Sequence, residues 1–120
     1  MKKILSILSL FLTLVVAENI NECIVCHEGV ADIRERSSGM MQAILVKADE
    51  AGAKGNDCVV CHGGNPSSKV KEEAHKGTLK YFVDNKGPKA FYPYPASPWI
   101  NENTCGMCHP KQVLAQENNL

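Results

Sequence analysis

Residues 23–27, Cys-Ile-Val-Cys-His, set two thiols two residues apart with an imidazole directly after the second. The pattern returns as Cys58-Val59-Val60-Cys61-His62 and as Cys105-Gly106-Met107-Cys108-His109. The chain has 6 cysteines and 4 histidines, and the motif uses every one of them except His75. C-x-x-C-H is the attachment sequence of a c-type haem. The two thiols add across the two vinyl groups of the porphyrin, the two-residue spacer matches the separation of those vinyls, and the next residue then lies under the iron. Cys23, Cys26, Cys58, Cys61, Cys105 and Cys108 are therefore read as covalent anchors for three haem c groups per chain. His27, His62 and His109 are read as the proximal iron ligands, through neutral imidazole.

Two other uses of such pairs fit less well. A structural zinc site needs four ligands, so three pairs leave two cysteines over, and zinc gives no reason for a histidine after every pair. A redox disulfide of the thioredoxin kind calls for one such pair near a βαβ pattern, which is missing here.

The compartment agrees with covalent haem. Lys2 and Lys3, the apolar run Ile4 to Val16 and the small-residue pattern Val15-Val16-Ala17 predict an export signal over residues 1–17, cleaved after Ala17. The run falls short of the roughly 20 apolar residues a spanning helix needs, so membrane association is expected only if the signal stays uncleaved. The mature domain is then 18–120, with a periplasmic location in a Gram-negative-type cell. Without Lys2 and Lys3 it carries 11 basic against 13 acidic residues, a balance that offers nothing to nucleic acid. A domain of this size has little room for an apolar core. Its aromatics, Tyr81, Phe82, Phe91, Tyr92, Tyr94 and Trp99, all fall between the second and third cysteine pairs. Large apolar macrocycles tied at two thioethers and an iron bond would serve as the staples such a chain requires.

Three irons present six axial positions, and the motif histidines fill three. His75, in "KEEAHKGTLKYF", is the expected distal ligand of one iron, and its place 13 residues after His62 favours a haem other than that of the second motif. Met40 or Met41 is the next candidate, since a thioether is an established axial ligand. Both open the segment "GMMQAILVKADEAG", in which Met41, Ile44, Leu45 and Ala48 recur at helical spacing before Gly52, and methionine on such a face is more often packing. Lysine or water could complete the remaining positions. A fully ligated iron can only pass electrons, whereas an open one could bind and reduce a small molecule.

The predicted fold is mainly α with extensive loops and little or no sheet. The haem segments run 18–52, 53–86 and 87–120, with unequal spacing between motifs, so no regular array is expected. Gly63 to Ser68 reads as a loop, with Ser68 capping a short helix through Lys76. "NKGPKAFYPYPASPW", with Pro88, Pro93, Pro95 and Pro98, reads as an extended wrap ordered by aromatic packing on haem. Residues 110–117 read as a closing helix with Pro110 in its first turn.

With these motifs placed, the chain resembles a multihaem cytochrome c. More narrowly, "CVVCHGGNP", "EEAHKG" and "SPWINENTCGMCHP" resemble the N-terminal haem region of periplasmic cytochromes of the octahaem tetrathionate reductase and hydroxylamine oxidoreductase type. The resemblance implies helices and loops wrapped around closely packed haems, with the histidine of the "AHKG" segment, here His75, as a distal ligand. Those enzymes carry about eight haems and an active-site iron supported by residues beyond the third motif. Eleven residues follow His109 here, so no catalytic residue carries over. The expected function is electron transfer in anaerobic-type respiration, between a quinol-oxidising membrane cytochrome or another donor and a periplasmic reductase. The alternative is an N-terminal part or subunit of a multihaem reductase of nitrogen or sulfur oxyanions.

Overall fold

Helix α2, Gly39–Glu50, shows how local chemistry sets the boundaries of the elements. The hydroxyl of Ser38 accepts the Met41 N–H at 3.2 Å and so caps the first turn. Gly52, at φ +75°, closes the other end. The Gly52 and Ala53 N–H groups donate back to the Asp49 and Ala48 carbonyls at 3.0 and 2.8 Å, which is a Schellman closure. Met41 and Ala48 are buried and Ile44 and Leu45 half-buried, the face expected from their spacing.

The computed structural model describes residues 21–30 and 35–119; the predicted signal segment 1–17 lies outside them. The other helices are short: α1 Glu22–Cys26, α3 Val59–His62, α4 Lys71–Ala74, α5 Lys80–Asp84 and α6 Pro110–Glu117, with a 3-10 turn at Asn101–Asn103. Among the described residues there is no strand, and no helix is long and apolar enough to cross a membrane. Pro110 opens α6 as expected.

Two local readings change. Ser68 does not cap a helix reaching Lys76. Its hydroxyl accepts the Val70 N–H at 3.1 Å, and Val70 then precedes a single helical turn. That turn stops at Ala74 because His75 leaves helical geometry and Gly77, at φ +69°, reverses the chain. The second change is α5, which gathers Tyr81 and Phe82 onto one turn. It closes through Lys86, held at φ +61°, and a 2.7 Å bond from the Gly87 N–H to the Phe82 carbonyl. Tyr81 and Lys47 both donate to Glu50 and thereby tie α5 to the end of α2.

The core is thin: Ala48, Ala53, Val59, Val60 and Phe82, with Cys23, Ile44, Leu79 and Met107 packed against it. Val59 and Val60 are the spacer residues of the second C-x-x-C-H, so that motif rests on the core. Val25, a spacer of the first motif, is 64% exposed. Phe82→Ala should therefore lower unfolding free energy by about 3–5 kcal/mol in denaturant titration. Val83→Ala, on the exposed side of the same helix, should leave it nearly unchanged.

Candidate functional site

Each C-x-x-C-H closes one helical turn in the same way. His27, His62 and His109 donate their backbone N–H to the carbonyl of the first cysteine of their own motif, at 2.8, 2.9 and 2.8 Å. A closed turn brings side chains three residues apart to one side, so both thiols face the same way with the imidazole next to them. The supports differ. Asn21 caps α1, its amide oxygen accepting from Cys23 N and Ile24 N at 3.1 and 3.3 Å. In the third motif Gly106 is required, because a methyl group there would run into the Glu102 carbonyl.

The first two motifs are clamped together by the residues just before them. The Asn21 amide donates to Asp57 Oδ1 at 2.6 Å, while Asn56 Oδ1 accepts from Glu22 N at 2.8 Å and Asn56 Nδ2 donates to the Ala53 carbonyl at 2.7 Å. Asn56 and Asp57 are both buried. The clamp sets Cys23 against Cys58, the first cysteine of each motif. A hydrogen bond to Cys58, then burial, pushes the Cys23 thiol well up. Burial chiefly, with Cys105, Cys108 and Cys58 adding, pushes Cys61 up to about 11. Both are therefore neutral thiols at ordinary pH. Cys26, Cys105 and Cys108 are exposed.

The second motif runs into Gly63 and Gly64, at φ +69° and +88°. A Cβ on Gly63 would collide with the Ala90 carbonyl, and one on Gly64 would lie 2.5 Å from the Ala74 carbonyl. Only glycine allows the chain around residue 75 and the chain around residue 90 to close on this turn together. Gly64 N donates to the Gly77 carbonyl at 2.8 Å and Asn65 N to the Ala74 carbonyl at 2.9 Å, so His75 is held between two anchored points. On the other side Tyr92 N donates to the His62 carbonyl at 2.7 Å, and the Tyr92 carbonyl lies 2.8 Å from His62 Nδ1. A carbonyl can only accept, so Nδ1 carries the proton and the Nε2 lone pair is left for a ligand.

This folding brings three of the four histidines to one cavity of about 740 Å³. Cys23, Cys26 and His27 line one part of it and His75 another, with Cys58 and His62 also at its wall. The His27 and His75 rings are 5.9 Å apart between centroids. With a metal–nitrogen bond near 2.0 Å, two imidazoles sharing one iron would stand roughly 6 Å apart. The walls are largely apolar, and Lys69 and Lys71 also line them. An apolar slot of this size with three thiols, three imidazoles and two ammonium groups at its wall has room and chemistry for a haem, whose flat body is apolar and whose edge bears two carboxylates. Among the described residues no cluster of three or more His, Cys, Asp or Glu is gathered as a bare ion would require.

The other predicted residues lie elsewhere. His109 is exposed beside Cys105 and Cys108. Met41 is buried in the packing of α2 and Met40 is 63% exposed; neither lines the cavity. The Met107 sulfur sits against Gly87 and Phe82. The sequence reading missed Asn21, Asn56 and Asp57, polar residues of ordinary appearance, and the individual part of Phe91, whose ring stacks on His75 at 4.6 Å. Proline with interleaved aromatics signalled the segment but not which ring touched what. Tyr94 and Trp99 of that segment are 80% and 85% exposed.

Asn56→Ala should cost about 1–3 kcal/mol in thermal or denaturant unfolding, because it leaves the Glu22 N–H without its partner and removes the side-chain bond to the Ala53 carbonyl, which keeps only the backbone N–H of residue 56. Gly64→Ala should cost about 1–3 kcal/mol from backbone strain alone, with the clash at Ala74 added, and should displace the His75 segment. No protein-family model, curated protein or solved structure matches the chain.

Proposed function

We propose that this is a periplasmic c-type cytochrome that carries three covalent haems and transfers electrons in anaerobic-type respiration. The observation that supports it most is the meeting of His27 and His75 across an apolar cavity that also holds Cys23 and Cys26. Haem iron supplies a reversible one-electron couple. The chain's own residues do the rest. Cys23 and Cys26, Cys58 and Cys61, and Cys105 and Cys108 would hold the three groups through thioethers. His27, His62 and His109 would each supply an imidazole to the iron of their own motif, and His75 would supply a second imidazole at the first site. The Tyr92 carbonyl holds His62 in the tautomer that presents Nε2. Lys71, and Lys69 if it exchanges its 3.6 Å ion pair with Glu22, would offer ammonium groups to the carboxylates of a haem edge. A quinol-oxidising membrane cytochrome and a periplasmic reductase are the classes of redox partner this role calls for.

A second reading follows from ligand supply. Four histidines cannot fill six axial positions, and His109 lies at the surface. An iron there with water or lysine opposite could take a nitrogen or sulfur oxyanion, alone or as part of a larger reductase.

The mature chain produced with a haem-attachment system should show a mass increase equal to three haems. A mass without that increase would leave a thiol or zinc protein and overturn the proposal. In the same preparation His75→Ala should keep the three attachments while converting one low-spin iron to high spin in electron paramagnetic resonance. Turnover of nitrite or sulfite by the parent protein would decide for the second reading.

A further inference from the structure

Phe91 lies beside two histidines, His62 of the second motif and His75, which belongs to none. Its ring is nearly parallel to His75, at 4.6 Å and 27°, and nearly parallel to His62, at 6.4 Å and 26°. Both separations lie in the range of attractive ring pairs. The ring is fixed from three directions. Its neighbour Tyr92 is bonded twice to His62, its neighbour Ala90 presses its carbonyl on Gly63, and Gly64 leaves room for its edge, since a Cβ there would lie 3.4 Å from Phe91 Cδ2. His75, by contrast, has no hydrogen bond from its own ring among those described; its backbone is anchored, and its ring touches Phe91 and His27. An axial imidazole is ordinarily oriented by a hydrogen bond from its second nitrogen. Here the flat face of Phe91 occupies that role.

The geometry points to Phe91 as a positioning residue: by stacking on His75 it fixes the plane of that imidazole, the one that would face His27 across the first haem, and its ring is itself held beside His62 of the second motif. This rests on the haem reading above and on His75 as the distal ligand. A ring held in one plane keeps the Nε2 lone pair aimed at the metal. A ring free to turn about its side-chain bonds loses that aim and lets water compete for the position.

The test compares Phe91→Leu, Phe91→Ala, Phe91→Tyr and His75→Ala in the mature, haem-loaded chain, each normalised to haem content by pyridine haemochrome. Leucine preserves bulk without a flat face and guards against a folding failure in the alanine variant; tyrosine restores the face. In Phe91→Leu and Phe91→Ala, we expect part of the low-spin ferric signal, at most about one third of the total for one iron in three, to move to high spin or to new g values. The midpoint of that haem should shift with it. Phe91→Tyr should return the parent spectrum. If His75→Ala creates high-spin iron but both Phe91→Leu and Phe91→Ala keep the parent spectrum and midpoints, the positioning role is wrong while the ligand assignment stands. If His75→Ala itself leaves the parent spectrum, the assignment on which the inference rests falls with it.

Discussion

The close approach of three backbone segments at Gly63 and Gly64 governs the arrangement of this molecule. Two carbonyls, from Ala74 and Ala90, come so near the turn that follows the second motif that no side chain fits. Because both glycines accept positive φ at little cost, the chain can turn there and receive one segment on each side. One brings His75, the other Phe91 and Tyr92. Remove that permission and the imidazole of the second motif loses its Tyr92 partner while His75 loses its approach to His27. The chemistry of the cavity thus rests on a steric allowance a few residues long.

The thin core explains why so much is asked of this turn. Four small or medium side chains and Phe82 as the one large ring cannot bury much apolar surface, and short helices contribute little on their own. Polar contacts take over where packing is weak. Asn21, Asn56 and Asp57 join the first motif to the second, and buried amides of this kind stabilise only when every partner is in place. The spacer valines of the second motif complete the core, so the segment that turns Cys58 and His62 to the cavity on one side is, on the other, the main packing element.

Much of this was legible in the sequence, for reasons that differ by residue. The helical character of α2 and its end follow from the spacing of Met41, Ile44, Leu45 and Ala48 and from Gly52, each acting within a few residues. Pro110 announced α6 in the same way. What could not be read were relations between distant segments. Nothing local in "AHKG" says that His75 meets His27 rather than another ring, and nothing local in "KAFYPYP" says that Phe91, and not Tyr94, turns inward. The segments interleave for that reason: His75, from residues 53–86, comes beside His27 of the first motif, and Phe91 and Tyr92, from residues 87–120, close on His75 and His62. Helix α5 escaped notice because two aromatics over a single turn carry no periodic signal.

Interleaving has a consequence for the order in which the molecule is completed. The imidazole that faces His27 hangs on hydrogen bonds to Gly64 and Asn65, and the ring behind it hangs on His62. The N-terminal motif is the first to be synthesised, yet its surroundings are completed by backbone that follows roughly fifty to seventy residues later, so the earliest part of the described chain is among the last to be finished. During that interval the thiol at Cys26 and the flank at Val25 stay open to solvent, with none of the later segments beside them.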